Sequence, residues 1–372
     1  MSKKFLSALF SLCAPLRVLL CLFLFTGVSS AYTGGQFLTG TYAQNPFGSL
    51  AMGPGNVLYG AWKSNTDTSP GSFIKIATYN GSAWTELTSI TNTDVLAAFS
   101  PLNRIGDWGP ESMAVDSSGN IHVVFPVAAS LGGTTGLRGI AYGKYTASNQ
   151  TWALRKLFIV SHSSGFLAVG NGEYALELDS SQNPHVVFKW RQAGSPGSFA
   201  RLHYAYFNGT AWNVTGNTNA HDGVVIDSLA DNQEAVMFAD IAFDSSNNLH
   251  LAYLRERADG TSRDIMYATK AAGGTTFTTP AMVMNAGNAS RPSIVVEAGN
   301  KISIGDSYSS GMVTNFRVTT NATGNFVSST VGSHTVTTTG TSAACSYPIL
   351  KVNASGLKVM TMGVWGVTNS NP

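Results

Sequence analysis

A short unit recurs along this chain at a nearly fixed spacing, and a fixed period constrains architecture more tightly than any local propensity. One copy reads Ser112-Met113-Ala114-Val115-Asp116-Ser117-Ser118-Gly119-Asn120-Ile121-His122-Val123-Val124-Phe125. A second reads Tyr174-Ala175-Leu176-Glu177-Leu178-Asp179-Ser180-Ser181-Gln182-Asn183-Pro184-His185-Val186-Val187-Phe188. A third runs from Asp240 through Asp244-Ser245-Ser246-Asn247-Asn248 to His250 and Tyr253, and looser copies begin near Ser49, Ser293 and Tyr347. With Asn56, Asn120, Asn183, Asn248, Asn300 and Gly356 as anchors, successive copies are 52 to 65 residues apart.

Each copy is two apolar runs joined by a turn whose Asp caps backbone amides and whose Gly and Asn accept positive φ. A second hairpin follows in the clearest copies. Phe73 to Tyr79 is joined through Asn80-Gly81-Ser82 to Ala83-Trp84, and Leu202 to Phe207 through Asn208-Gly209-Thr210 to Ala211-Trp212. Asn-Gly between strand residues is the strongest short-range hairpin signal. The unit is therefore a four-stranded antiparallel meander. Repeated at equal spacing, it predicts an all-β chain, a β-propeller of about six four-stranded blades, because a sandwich does not need equivalent hairpins.

Residues 1–31 read as a secretory signal: Lys3, Lys4 and Arg17 precede the apolar run Val18 to Phe25, which is too short to span a bilayer. Ser29 and Ala31 suit cleavage before Tyr32, leaving residues 32–372 as one propeller domain, secreted to the periplasm or beyond. Cys21 follows Leu20, where a lipid-attachment site would need a small residue, so a lipid anchor is not expected. The formal charge of +2 includes three cations of the leader, so the mature chain is close to neutral. Without a basic run, a nucleic-acid partner is not expected, and no later stretch is apolar for long enough to insert into a membrane. Cys13 and Cys21 leave with the leader, so Cys345 stands alone and burial rather than a disulfide must hold the fold. The expected assembly is a monomer. Sequons at Asn80, Asn208, Asn213 and Asn321 matter only in a host that glycosylates.

The pattern Asp-Ser-Ser-Gly-Asn-x-His before an apolar strand, with Tyr-Ala-x-x-x-Gly-x-x-Trp after it, resembles the repeats of secreted bacterial propellers grouped with sialidase-like, BNR-type proteins. The resemblance covers about residues 45 to 372 and implies the architecture. The Asp-box of true sialidases, Ser-x-Asp-x-Gly-x-Thr-Trp, is absent. Arg104-Ile105-Gly106 lacks the proline of that family's arginine motif, so sialidase activity is not implied.

His122, His185 and His250 occupy one repeat position. Equivalent positions in different blades lie too far apart to share one ion, so no metal or other cofactor is expected and each ring is read as bonding turn or neighbouring-blade backbone. Leu58 and Ile302 are read at that position in copies one and five. Trp84, Trp152 and Trp212, with Phe277 and Phe326 in the looser copies, are read as packing between blades.

Residues outside the repeat are the candidates for function. The segments 91 to 110, 161 to 173 and 216 to 238, and those leaving each second strand, should share one face. They carry Asp107, Trp108, His162, Glu173, His221 and Asp222, besides Arg104, Trp190, Arg191, Arg255, Glu256, Arg257 and Arg263. Trp108, Glu173, Trp190, Arg191, Arg255 and Arg257 are the expected ligand-binding set, since indoles stack on sugar rings and guanidinium forks grip carboxylates. The expected function is a binding module for glycans or a cell-surface polymer. A glycoside hydrolase or polysaccharide lyase using Asp107, Glu173 or Asp222 is the alternative, and a structural or adhesive protein the third. The sixth copy ends after one hairpin, so Gln36 to Ala43 is expected to complete it.

Overall fold

The computed structural model describes residues 23–24, 48–65, 72–80, 83–106, 112–129, 136–162, 174–192, 199–214, 224–228, 235–257, 262–287, 291–310, 313–321, 325–335, 343–352 and 358–366. A two-residue strand, β1 (Phe23–Leu24), precedes a sheet formed by β2 (Gly48–Met52), β3 (Leu58–Asn65), β4 (Ser72–Tyr79) and β5 (Trp84–Thr91). After helix α1 (Asn92–Phe99) and β6 (Arg104–Ile105), the second sheet is β7 (Ser112–Val115), β8 (Ile121–Ala128), β9 (Gly136–Thr146) and β10 (Thr151–His162). The third is β11 (Tyr174–Leu178), β12 (Pro184–Gln192), β13 (Phe199–Tyr206) and β14 (Val224–Ser228). The fourth is β15 (Ala235–Phe243), β16 (Leu249–Glu256), β17 (Arg263–Lys270) and β18 (Ala281–Gly287). The fifth is β19 (Ser293–Glu297), β20 (Lys301–Ser310), β21 (Val313–Thr320) and β22 (Val327–Thr335), followed by the hairpin β23 (Ala343–Val352) and β24 (Lys358–Gly366). Every pairing is antiparallel, so each sheet is the expected meander.

The first strands of successive sheets lie side by side in the order β2, β7, β11, β15, β19, β23, which is a propeller-like arrangement. The core is accordingly divided into slices. One lies between the first and second sheets around Ile74, Ile76, Ile121 and Phe125, and the next around Val124, Ile140, Val186 and Phe188. Two more follow around Val187, Tyr204, Leu251 and Tyr253, and around Leu254, Ile265, Ile302 and Ile304. Successive residues of one strand, Val186 and Val187, serve opposite slices, as the two-residue period of a strand requires.

Side-chain oxygens tie the innermost strands together. Leu176 N–H donates to Ser112 Oγ at 2.5 Å, and the same hydroxyl donates to Leu176 O at 3.3 Å. Ser293 treats Leu350 in the same way, at 3.0 and 3.5 Å. Asp240 holds the equivalent place in the fourth sheet and accepts from Ile294 N–H at 2.9 Å and Ser293 Oγ at 2.8 Å.

The turns closing the first hairpins mark what is called below the lower end of each sheet. Their fourth residue is left-handed throughout: Asn56, Gly119, Gln182, Asn247 and Asn300 have φ between 58° and 78°. This shifts the alignment of copies one and five by one residue from the asparagine anchors. Asn56 and Asn300 correspond to Gly119, so Tyr59 and Ser303, not Leu58 and Ile302, share the histidine position. Asparagine tolerates the left-handed region that the turn demands, which is why it migrated within the motif.

Three buried relays stand above these turns. Tyr142 donates to His122 Nδ1 at 2.6 Å, and His122 Nε2 faces Asp116 Oδ2 at 3.4 Å. Tyr204, His185 and Asp179 repeat the arrangement, as do Tyr267, His250 and Asp244, with histidine to carboxylate distances of 3.4 and 3.5 Å. The expected backbone partners are thus replaced by side chains of the same sheet, because a neutral imidazole satisfies a hydroxyl and a carboxylate at once. Each tyrosine is met edge-on by an aromatic of the following sheet: Trp212 on Tyr142, Phe277 on Tyr204 and Phe326 on Tyr267. Trp152 reaches back instead, its indole N–H donating to Thr88 Oγ1 at 3.0 Å.

The segment 91 to 110, read as a loop, contains α1. Thr91 and Asp94 form its capping box, and β6 then extends the inner edge of the second sheet by pairing with Val127 and Ala128. Gln36 to Ala43 lies outside the described residues. Beside β24 stand Phe23 and Leu24, paired with Met360 and Val359, an apolar segment meeting a free strand edge.

The inner ties and the relays each generate a test. Ser112→Ala leaves Leu176 N–H without its acceptor and should lower stability by about 1–3 kcal/mol, whereas Ser117→Ala, an exposed turn residue, should change it by less than about 0.5 kcal/mol. Burial drives the pKa of His122 and His185 from 6.5 down to about 4, and lowers that of His250. Burial alone would raise Asp116, Asp179 and Asp244, but hydrogen bonds from Asn120, Asn183, Asn248 and the histidines hold them below the usual carboxylate value. In the pH window from 6.5 to 4 the unfolded chain takes up protons that the folded relays refuse. Urea midpoints should therefore be highest above pH 6.5 and fall steadily toward pH 4, and a midpoint that does not move between those values would contradict the neutral relays.

Candidate functional site

The opposite, upper end is where second strands finish and inner strands begin, and there the repeat gives way to charge. Lys63 and Lys189 share one place, six residues into β3 and β12, and both are buried although the places around them are apolar. Lys63 Nζ donates to Gly106 O at 2.6 Å, fastening the first sheet to the chain that follows β6. Arg104, also buried, stands opposite Ala128.

The upper ends of the fourth and fifth sheets hold three guanidinium–carboxylate clamps. Arg257 grips Asp264 with Nε and Nη2, both at 2.7 Å, and Arg263 Nε meets Glu256 at 3.2 Å across the same strand pair. In the fifth sheet Asp306 is fully buried and held by Arg317, Nη2 at 2.5 Å and Nε at 3.2 Å. Burial pushes the Asp306 carboxyl up, and Arg317 pulls it back. Arg317 also lies over the Tyr308 ring at 4.2 Å. Asp306 occupies the place that Phe125, Phe188 and Tyr253 fill in the other sheets, so a charged pair has replaced a core aromatic.

One backbone feature marks this end. β15 bulges between Met237 and Asp240, and Phe238 within the bulge has φ 53°, a conformation rare for a bulky side chain. The Arg291 guanidinium lies over the Phe238 ring, 4.6 Å from its centre.

Of the residues expected to bind ligand, Trp108 and Glu173 lie outside the described residues, as do Asp107, His221 and Asp222. Trp190 and Arg191 are at the upper end of β12, opposite Arg201 and Ala200, and Arg255 takes the place of Trp190 in β16, opposite Val236 and Asp264. Arg255 and Arg257 are partly exposed. Lys63, Lys189, Asp306 with Arg317, and Arg291 were missed by reading only the loops. The departures at Lys189 and Asp306 from an apolar strand pattern were the available signal, whereas nothing in the sequence marks Phe238 as left-handed.

Recognition chemistry is abundant in this set. Glu256, Asp264 and Asp306 each already carry a guanidinium, so none is placed as a proton donor or acceptor for a substrate. Asp306→Ala should destabilise the chain by about 3–5 kcal/mol by stranding Arg317, whereas Asp306→Phe with Arg317→Leu should recover most of that loss by restoring the aromatic of the other sheets. Thermal denaturation of the two variants checks this.

No known family model matches the chain, and no curated protein matches it in sequence. Solved structures do match in fold. An ulvan lyase, described as a new family of polysaccharide lyase, is 13% identical, with 88% of this chain and 80% of that chain covered and a TM-score of 0.53. An alpha-L-arabinanase of Penicillium chrysogenum complexed with arabinobiose is 11% identical, covering 87% and 93%, with a TM-score of 0.52. An alpha-L-arabinofuranosidase of Fusarium graminearum, in complex with an iminosugar inhibitor, is 10% identical, covering 88% and 95%, with a TM-score of 0.51.

Proposed function

We propose that this chain is an exported, monomeric β-propeller of six blades that binds saccharides across the upper ends of its sheets without cleaving them. The observation that carries binding over cleavage is the set of clamps: glycoside hydrolysis needs two carboxyl groups able to exchange protons or attack, and the upper carboxylates among the described residues are held by arginine. The fold likeness supports a saccharide ligand. The ulvan lyase, the arabinanase and the arabinofuranosidase act on saccharides by name and share the architecture. Trp190 and Arg255, at one repeat position in neighbouring sheets, supply a stacking surface and a donor fork at adjacent points of the rim.

Export and ring closure belong together in this reading. Cleavage before Tyr32 removes Phe23 and Leu24 from the edge of β24, and Gln36 to Ala43 is the next extended segment able to take that edge as part of the sixth blade.

Purified secreted protein should bind saccharides on a glycan array and release no reducing ends or unsaturated products from the glycans it binds. Trp190→Ala should weaken binding by about 1–3 kcal/mol, the scale of a lost aromatic contact. Turnover of a bound glycan would replace the binding reading with the hydrolase or lyase reading, and an array without any bound glycan would leave the structural role.

A further inference from the structure

We propose that Arg291, mounted on Phe238 at the inner rim of the upper face, receives the carboxylate or sulfate of an acidic saccharide. The inference rests on the reading of that face as a saccharide site and names the ligand's charge.

Three features converge on this point. The first is the bulge. Phe238 and Ala239 are pushed out of the β15 ladder between Met237 and Asp240, and Phe238 is left-handed, a conformation that a phenylalanine adopts only where its surroundings impose it. Such strain collects at ligand clamps. Phe238 packs partly against the slice between the fourth and fifth sheets, so its ring is a fixed shelf.

The second is the mounting of the arginine. Arg291 precedes Pro292 and the start of β19, and its guanidinium is stacked at 4.6 Å on the Phe238 ring. Stacking uses the face of the guanidinium and leaves its N–H groups directed outward in the ring plane, the geometry that matches a carboxylate or sulfate with two parallel hydrogen bonds. The strand that carries it is pinned from the same bulge, because Asp240 accepts from Ile294 N–H and Ser293 Oγ. Shelf and arginine are therefore held by one short segment.

The third is the distribution of arginine over the chain. Beyond residue 31, every arginine except Arg155 and Arg317 stands at the upper end of a strand or in the connection beyond it. Lysines such as Lys144, Lys270 and Lys301 lie toward the lower ends. Arginine forks on one face of a nearly neutral chain fit discrete anionic groups on a polar ligand better than the continuous phosphate track of a nucleic acid.

The test uses the full secreted chain on an array carrying uronic-acid, sulfated and neutral oligosaccharides, with single-stranded DNA as a further probe. The wild type should favour acidic glycans. Arg291→Lys keeps the charge but loses the fork, and should weaken acidic glycans about tenfold or more while leaving neutral ones unchanged. Phe238→Gly preserves the left-handed backbone, removes the shelf, and should have the same selective effect. Binding to neutral glycans alone, or equal losses for acidic and neutral glycans in Arg291→Lys, would overturn the anion site and leave saccharide binding standing. DNA bound as tightly as the acidic glycans would overturn it in favour of a general polyanion surface. No glycan bound by the wild type would overturn both readings.

Discussion

An innermost strand has a ladder partner on one side only, and its other edge faces a strand of a different sheet with which it cannot form a regular ladder. The amide and carbonyl groups on that edge are buried, and buried backbone groups must find partners. Ser112 and Ser293 solve the problem with one hydroxyl each, which accepts from the N–H of the facing leucine and donates to its C=O. Asp240 solves half of it and enlists Ser293 for the rest. The apolar slices outside depend on these ties, because Val186 and Val187 can serve opposite slices only if their sheet is held at a set distance from both neighbours.

The two ends of the sheets divide the polar work. At the lower end the buried polar groups are the same from sheet to sheet and are neutral at the imidazole: a tyrosine hydroxyl, a histidine kept unprotonated by burial, and a turn aspartate. Burial and the nearby aspartate push the Tyr267 hydroxyl up to about 12, so it remains a donor. At the upper end the buried groups differ in every sheet and carry charge, as Lys63, Lys189, Asp264 and Asp306 do. Repetition serves the packing of the ring, and variation is confined to the end where the chain can meet a ligand.

The legibility of the sequence follows the same division. Asp116-Ser117-Ser118-Gly119-Asn120 carries its own turn chemistry, so the hairpins, their number and the meander could be read directly. The one-residue offset at Asn56 and Asn300 escaped because asparagine suits both the fourth and the fifth place of the turn, and only φ tells which it fills. Helix α1 had a readable capping box at Thr91 and Asp94 that was submerged in a segment judged by its position between repeats. The clamps were less accessible, since Asp264 and Arg257 become partners through the register of β16 and β17 rather than through spacing. The Phe238 bulge depends on contacts with another sheet and leaves no local trace.

The lower turns touch one another as well as their own sheets. Ser180 N–H donates to Asn247 Oδ1, and Ser245 N–H to Asn300 Oδ1, so the left-handed residue of each turn reaches back to the turn before it. Gln182 does the same for Ser117. Gly119 holds the corresponding place in the second sheet and has no side chain to extend toward the first. The chain of clasps thus begins at the second sheet, and the first is joined by other means, through Lys63 to Gly106 and through Trp152 to Thr88. Under a pulling force applied at the N-terminal side, the seam between these two sheets is where the ring would part, and the remaining blades would come away as a linked series.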